Sequence, residues 1–381
     1  MSENNAARLA ALLRRHNERK IAMKNGYYKL TNLKSFANKH GCIYRLLFGK
    51  RSNGKTFSVL AEGLAEYAKG NGKIAYIRRY KEDITKPNLE TLFDPHLNYL
   101  HAYRIPNNAN KSPVVAIDYQ SRHFKFVYED KTKSEPFCDC FSLSAWERQK
   151  GADRGKYCLI VFDEFITRDS YLSHETDLLL DVISSIMRDR DGVPVYMIAN
   201  TVSQHCPYFS AFGFKIQDIK QGDLKQVSPL CCVEYCNDNG KQNNAGYFTA
   251  FNNSHSKMIL SGAWDFREYP TLYPKSHLDF NFQFRFFVCL SDRTICGEIL
   301  TDKRGAFIYF YPFTGEIKRP ESTIIYGGAT DINALHASDF SDTSTSAHIL
   351  IADLIRRRKC FYTDNETGDA IAAFINNGGD I

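Results

Sequence analysis

The residues best equipped for chemistry lie in two short stretches. The first, Gly49-Lys50-Arg51-Ser52-Asn53-Gly54-Lys55-Thr56, has the glycine spacing and terminal Lys-Thr of a loop that cradles phosphates. Glycines let successive backbone amides curl around an anion, and the positive end of a following helix adds to the field. In such a loop Lys55 neutralises the outer phosphates and the Thr56 hydroxyl completes part of a magnesium shell. All eight residues are therefore candidate nucleotide ligands. The second stretch, YCLIVFDEF at 157–165, is an apolar run ending in Asp163 and Glu164. Such a run is how a strand covered on both faces of a parallel sheet reads. Asp163 fits a magnesium-associated carboxylate, and Glu164 fits a group that orients or deprotonates water at the terminal phosphate. Taken alone, the acidic pair also reads as a solvated strand end. The two stretches together favour hydrolysis of a nucleoside triphosphate, with ATP and Mg2+ as the expected ligands.

Other candidates carry two readings each. VPVYMIANTVS at 193–203 reads as a third strand, and Asn200 at its end either binds the attacking water or terminal phosphate, or caps a turn. Helically spaced Leu179, Val182, Ile183 and Ile186 precede Arg188 and Arg190. These arginines form either a salt-bridged helix end with Asp189 and Asp191, or forks that reach a neighbouring subunit's phosphate. Arg51 either pairs with a surface carboxylate or contacts phosphate or Glu164 within its own subunit. Arg78 and Arg79, closing the strand-like KIAYIRR, have three possible destinations: nucleotide, a neighbouring subunit or nucleic acid.

The elements that must hold these groups follow from periodicity. CIYRLLF (42–48) reads as a buried strand ahead of the glycine loop, and Val59, Leu60, Leu64, Ala65 and Ala68 make 57–70 a helix behind it. VVAIDYQ and HFKFVYED read as a hairpin inserted beside the sheet. Lys150, Arg154 and Lys156 form a basic stretch, read as a solvated turn or an approach to DNA. A run of 381 residues suffices for two cores, and 49 Lys and Arg against 43 Asp and Glu leave a formal charge of +6. That excess permits a polyanionic partner without requiring one. The 11 cysteines are scattered through apolar strands and read as small buried side chains, since Cys138/Cys140 and Cys231/Cys232/Cys236 lack a zinc spacing. No secretory segment and no membrane-length apolar run is apparent, so reduced, cytosolic chemistry without a membrane is the expectation. ARLAALLRRHNERK at 7–20 reads as a basic amphipathic helix, with subunit packing, a nucleotide edge, a transit signal and a membrane surface as open roles.

Beyond a linker at 206–225 the chain turns β-rich and aromatic. SPLCCVEYC, AGYFTAFNN, FQFRFFVCLS, TICGEILTD and GAFIYFYPF read as short strands, followed by an amphipathic helix in HILIADLIRRRKCF. That helix exposes Arg356, Arg357, Arg358 and Lys359, either as ordinary solvation or as a nucleic-acid or partner surface. Asp292, Glu298 and Asp302 either gather a divalent ion for phosphodiester cleavage or serve nearby turns. The fold expected is α/β: a P-loop ATPase core with a central, mostly parallel sheet at 41–205, a helical extension at 1–40, and a smaller C-terminal α/β domain at 226–381. A helicase or other nucleic-acid-translocating ATPase, and a nucleotide-binding switch or structural protein, fit the same motifs.

The phosphate loop with Arg51 inside it, the carboxylate strand end FDEF, and IMRDRDGVPVYMIAN resemble the DNA-packaging ATPases of small tailed bacteriophages, the phi-29-like type. The resemblance covers mainly residues 42–203. It implies ATP-driven movement of double-stranded DNA into a procapsid by a homopentameric ring docked on the portal, in the cytoplasm of an infected host. Lys55, Thr56, Asp163 and Glu164 then take the nucleotide, metal and catalytic roles, and Arg188, with Arg190 as alternative, the trans-acting one. Arg51 switches contacts during the cycle. The resemblance also implies an inactive RNase-H-like second domain that touches portal or structural RNA.

Overall fold

The computed structural model describes residues 28–149, 155–168, 171–187, 191–237, 245–251, 253–265, 268–272, 280–290, 293–318, 323–327 and 335–376. Arg188, Arg190, Asp292, Lys150, Arg154 and the basic 7–20 segment lie outside them.

Nine strands build the first sheet: β1 (Tyr44–Gly49), β2 (Lys73–Arg78), β3 (Val114–Gln120), β4 (His123–Tyr128), β5 (Cys138–Ser142), β6 (Tyr157–Asp163), β7 (Val195–Asn200), β8 (Leu224–Ser228) and β9 (Cys231–Tyr235). Their order is β3-β4-β5-β2-β6-β7-β1-β9-β8. The run β5-β2-β6-β7-β1-β9 is parallel throughout, and antiparallel hairpins close both edges. Alternation explains the two-sided core, because successive side chains of a strand point to opposite faces. Leu47, Tyr76, Val161 and Ile198 meet Val59, Leu60 and Leu64 of helix α2 (Lys55–Ala68), beside α1 (Thr31–His40). Leu46, Ile77, Phe162 and Met197 meet Leu179, Val182 and Ile186 of α3 (Glu175–Met187) on the other side. α2 approaches closely at Gly63, where a Cβ would sit 2.7 Å from the Ile74 side chain.

Two expectations about boundaries change. The strand expected to open the second domain is β9, which lies parallel to β1 in the first sheet. Its Cys231, Val233 and Tyr235 fill one face and Cys232 the other, so both sides of the strand are apolar. Residues 206–225 are likewise no free linker. Tyr208, Phe209, Ile216 and Ile219 are buried in the core that α3 covers. The segment expected as the strand AGYFTAFNN instead contains a short helix, Ala245–Thr249, and its Tyr247 and Phe251 stay exposed.

The second sheet has the order β14-β13-β10-β11-β12-β15, with β10 (Asn281–Cys289), β11 (Thr294–Asp302), β12 (Gly305–Phe313), β13 (Ile324–Gly327), β14 (Leu335–Ala337) and β15 (Cys360–Tyr362). β10 to β12 form an antiparallel meander, while β13 joins β10 in parallel and β14 joins β13. After the short helix Ala245–Thr249, α4 (Ser254–Ser261) also lies between the sheets in sequence; α5 (Ser346–Arg356) and α6 (Asn365–Asn376) supply Ile351, Leu354, Ile371 and Phe374 to the second core. Arg356, Arg357, Arg358 and Lys359 are exposed at the end of α5, with Arg357 paired to Asp353 at 2.9 Å.

Of the acidic residues weighed for nuclease chemistry, the two that are described, Glu298 and Asp302, do not converge. Glu298 and Asp302 lie on one extended strand, about 13 Å apart at about 3.3 Å per residue. Glu298 accepts from Tyr311 (2.9 Å) and faces Arg285 (3.4 Å), whereas Asp302 accepts from the Arg304 amide (2.7 Å) in the hairpin turn. Among the described residues no group of three or more His, Cys, Asp or Glu could hold a metal ion. All 11 cysteines are free, and no helix among the described residues is long and apolar enough to cross a membrane.

Gly297 faces Phe286 across the β10–β11 ladder, where a Cβ would meet ring carbons at 2.3–2.8 Å. Gly297→Val should overpack the second core and lower stability by about 1–3 kcal/mol in urea melts; unchanged stability would refute the packing.

Candidate active site

The parallel order places the ends of β1, β7, β6 and β2 along one edge, where Gly49 pairs in register with Asn200 and Asp163 with Ile198. The chain leaves β1 through Gly49 at φ +149°, passes Ser52 at φ 57°, and enters α2 at Gly54 with φ 88°. Glycine supplies the two most demanding of these turns at no Cβ cost. A cleft opens here, lined by residues 51–57 and by Asp163, Glu164 and residues 198–200.

Lys55 is buried within it. Its Nζ donates to the carbonyls of Lys50 (2.6 Å) and Gly49 (3.2 Å) and to Oδ1 of Asn53 (3.2 Å) and Asn200 (3.3 Å). Burial lowers its pKa to about 8, with Arg51 adding to the fall while Cys236 and Asp163 oppose it. Gly49 through Thr56 thus divide the work. Arg51 and Ser52 are exposed at the crest, whereas Lys50 is only 5 % exposed and offers its backbone to Lys55. Asn53 is buried, and its carbonyl accepts from the Tyr28 amide (2.8 Å), which ties the segment before α1 to the loop.

Thr56 Oγ1 stands 3.3 and 3.4 Å from the two carboxylate oxygens of Asp163. Asp163 is buried and also accepts from Tyr76 (2.9 Å) and from the Glu164 amide (3.1 Å). Burial raises its pKa, and the Arg78 charge and the Tyr76 hydrogen bond pull against that rise. Thr56 and Asp163 are hard oxygen donors side by side in a buried corner, a donor set suited to Mg2+.

Glu164 has the left-handed φ of 62°, rare for a residue with a Cβ. This turns its carboxylate, 54 % exposed, away from the strand and onto Arg78 Nη2 at 2.6 Å. Arg79 goes the other way. Its guanidinium is buried on Glu175 (2.7 and 3.0 Å) and donates to the carbonyls of Glu164 (3.0 Å) and Phe165 (2.8 Å). Tyr208 also donates to Glu175 (2.9 Å). Of the three destinations expected for these arginines, the described contacts give Arg78 a carboxylate at the cleft and Arg79 an internal anchor. Tyr76 and Glu175 were not singled out by sequence reasoning, and Arg79 was not expected as an internal anchor. The one available signal was a tyrosine within an otherwise aliphatic buried strand, where its hydroxyl needs a partner.

The family described as Podovirus DNA encapsidation protein (Gp16) matches residues 23–224, more than half of the 381-residue chain. The DNA packaging protein of Bacillus phage B103 is 27% identical over 191 residues, covering 47% of this chain and 50% of that protein. The DNA packaging protein of Bacillus phage phi29 is 25% identical over 174 residues, covering 45% and 46%. The chain therefore spans about half the length of the curated relatives it matches. Among solved structures, the bacteriophage Phi-29 viral genome packaging motor assembly superposes with a TM-score of 0.53 at 17% identity, over 91% of this chain and 97% of that one. The Phi-28 gp11 DNA packaging motor gives 0.52 at 16%, over 92% and 97%. These two likenesses speak to the fold, a large mostly parallel α/β sheet followed by a second sheet. With the phosphate loop, the carboxylate strand and the sheet order all inside or beside the matched span, the chain belongs to the Podovirus DNA encapsidation protein (Gp16) family.

Proposed function

We propose that this protein hydrolyses ATP with Mg2+ and uses the energy to drive double-stranded DNA into a phage procapsid. The observation that carries the reading is the meeting of Lys55, Thr56, Asp163, Glu164 and Asn200 at one edge of the sheet of a packaging-family protein. Thr56 and Asp163 would hold the magnesium ion, which when bound supplies charge neutralisation between the outer phosphates. Lys55 exchanges its carbonyl partners for phosphate oxygens. Asn200 Oδ1, now on Lys55, is freed by that exchange, so its amide can turn to the terminal phosphate or the water. Arg51, at the exposed crest, reaches phosphate or Glu164 from within the subunit.

Glu164 orients the attacking water once it leaves Arg78. The carboxylate is half exposed, so water can take its side of the pair, and Arg78 keeps the Asp83 carboxylate at 3.8 Å when Glu164 leaves. The neighbouring Arg79–Glu175 pair is buried, and removing one partner of such a pair costs about 3–5 kcal/mol. Arg79 therefore stays fixed under the backbone of Glu164 while the side chain moves.

We further propose a homopentameric ring on the portal, acting in the cytoplasm of the infected host, with Arg188, or Arg190, reaching the neighbouring subunit's phosphate; what supports the packaging setting is membership of a DNA encapsidation family. The second sheet, with β13 and β14 added in parallel to an antiparallel meander, supports an RNase-H-like fold for the second domain, to which we assign no cutting activity. Arg356, Arg357, Arg358 and Lys359 form its surface for portal, DNA or structural RNA. In the organisation we propose, the ATPase part extends through β9 and the second domain begins after α4.

The decisive experiment is ATP-dependent protection of DNA from nuclease inside purified empty procapsids. Lys55→Ala should abolish nucleotide binding and packaging together, and packaging that persists would sink the mechanism. Glu164→Gln should keep nucleotide binding while turnover falls at least about 100-fold, the scale of a lost general base; undiminished turnover would remove Glu164 from the chemistry.

Lys55 also gives a pH dependence. Its empty-state pKa of about 8 lies below the usual lysine value, and bound phosphate raises it, so nucleotide binding takes up a proton. Affinity should fall as pH rises from about 7 to about 9.5, with proton uptake visible by titration calorimetry in buffers of different ionisation enthalpy. Lys55→Arg should flatten that profile. The stability effect has the opposite sign. The unfolded chain holds the Lys55 proton to higher pH than the fold does, so this residue's contribution rises as pH climbs from about 8 toward the unfolded value.

Asp163 has a raised folded-state pKa, so its ionised form opposes folding at neutral pH and ceases to do so as pH falls through the carboxylate range. Asp163→Asn should be at least as heat-stable as the wild type without ligand, and should lose the rise in Tm that Mg2+ and nucleotide confer on the wild type. A retained rise would place the metal elsewhere.

A further inference from the structure

One short segment touches all three loops that line the cleft. Gly262, ending α4 at φ 79°, lies against the phosphate loop so closely that a Cβ would fall 2.7 Å from the Lys50 amide nitrogen. Its carbonyl accepts from Tyr235 (2.7 Å) and from Thr201 (3.0 Å), the residue after Asn200. Thr201 also donates to the Ala263 carbonyl (3.1 Å), and its own carbonyl accepts the Asp265 amide (3.0 Å). Trp264 packs on Phe48 and Tyr235 with ring centroids 5.6 and 5.8 Å apart. The Asp265 carboxylate, 1 % exposed, takes an ion pair from Arg168 and meets His255 at 2.5 Å. Arg168 stands four residues after Glu164 and donates through Nε to the Val202 carbonyl (2.7 Å).

The same segment is fastened to the second sheet almost at once. The Tyr269 amide donates to Asn365 (3.0 Å) and its hydroxyl to Asp369 (2.9 Å), both at the start of α6. Leu272 and Tyr362 exchange backbone contacts with this stretch through Leu272 N to Tyr362 O (3.1 Å) and Tyr362 N to Pro270 O (2.9 Å). Asp265 and Tyr269 are four residues apart, a covalent reach of at most about 14 Å. Tyr269 therefore stays within that reach of Asp265 in every state of the cleft.

We propose that the described stretches 254–265 and 268–272 act together as a strut that carries the state of the nucleotide cleft to the second sheet, with Asp265 as the positioning residue that locks it to the Arg168 loop. The inference rests on the ATPase reading. Coupling of this kind requires that the two sites share an element with two arrangements. Here the element is fixed on one side to the phosphate loop, Thr201 and Arg168, and on the other to β15 and α6. The buried carboxylate supplies the strength of the lock, since Arg168 left facing no charge no longer holds the loop to the strut.

The test is hydrogen exchange by mass spectrometry on the full-length protein, with and without a slowly hydrolysed ATP analogue plus Mg2+. In the wild type, nucleotide should change protection in the cleft loops, in 254–265 and in 360–374. Asp265→Asn should bind the analogue within about threefold of wild type and keep the changes at the phosphate loop, yet lose the change in 360–374 by about fivefold or more. Arg168→Gln, altered at the less buried partner, should behave alike, and Arg168→Lys should restore part of the signal. Undiminished transmission in Asp265→Asn or Arg168→Gln overturns the proposal, as does a wild type that binds the analogue without any change beyond residue 265. A wild type that binds no nucleotide removes the ATPase reading itself and the strut's role with it.

Discussion

The site depends on four neighbouring strand ends emerging on one edge in a fixed order. β7 separates β1 from β6, so at about 4.8 Å per strand the phosphate loop and the carboxylate strand stand about 10 Å apart. That gap is the width in which Asn200 is presented, and the first turn of α2 closes it by swinging Thr56 back to within 3.3 Å of Asp163. The right-handed twist and parallel register of the sheet fix these positions without any help from the loops. Parallel pairing in turn demands cover on both faces, which the α2 and α3 sides supply through alternate residues of the same strands.

Two adjacent arginines show how one strand end serves two purposes. Arg78 and Arg79 follow each other at the close of β2 and so point to opposite sides. One holds the Glu164 carboxylate in a half-exposed pair that water can replace; the other holds the Glu164 and Phe165 carbonyls from below through a buried pair with Glu175. The backbone of the acidic residue is thereby rigid where its side chain is free. A left-handed residue at that point is maintained by the fixed carbonyls on the far side, consistent with local strain being over-determined by its surroundings.

Much of the first sheet was legible because its strands are short apolar runs with chemistry at their ends. Residues 42–48, 73–79, 157–163 and 193–200 could be read directly, as could α2 and α3 from their helical spacing. The order of those strands could not, since hydrophobicity states that a strand is covered and not what lies beside it. That is why CCVEY, as apolar as any strand of the second half, reads as the opening of the second domain although it pairs with β1. AGYFTAFNN misled for a different reason. Its aromatics alternate as in a strand, yet Tyr247 and Phe251 remain on the surface. The nucleotide ligands were visible in one dimension, while the Tyr76, Arg79 and Glu175 supports depend on contacts between residues as far apart as 79 and 175.

Cys236 gives the phosphate loop a chemically quiet wall. Its backbone amide donates to Phe48, and its Cβ lies where a side chain on Gly49 would come within 3.0 Å. Burial pushes its thiol up to about 12, so at neutral pH almost none of it is the nucleophilic thiolate. Oxidants and alkylating agents thus find no reactive sulfur behind the loop while it is seated, and a small, soft side chain can line the turn without becoming a point of covalent damage.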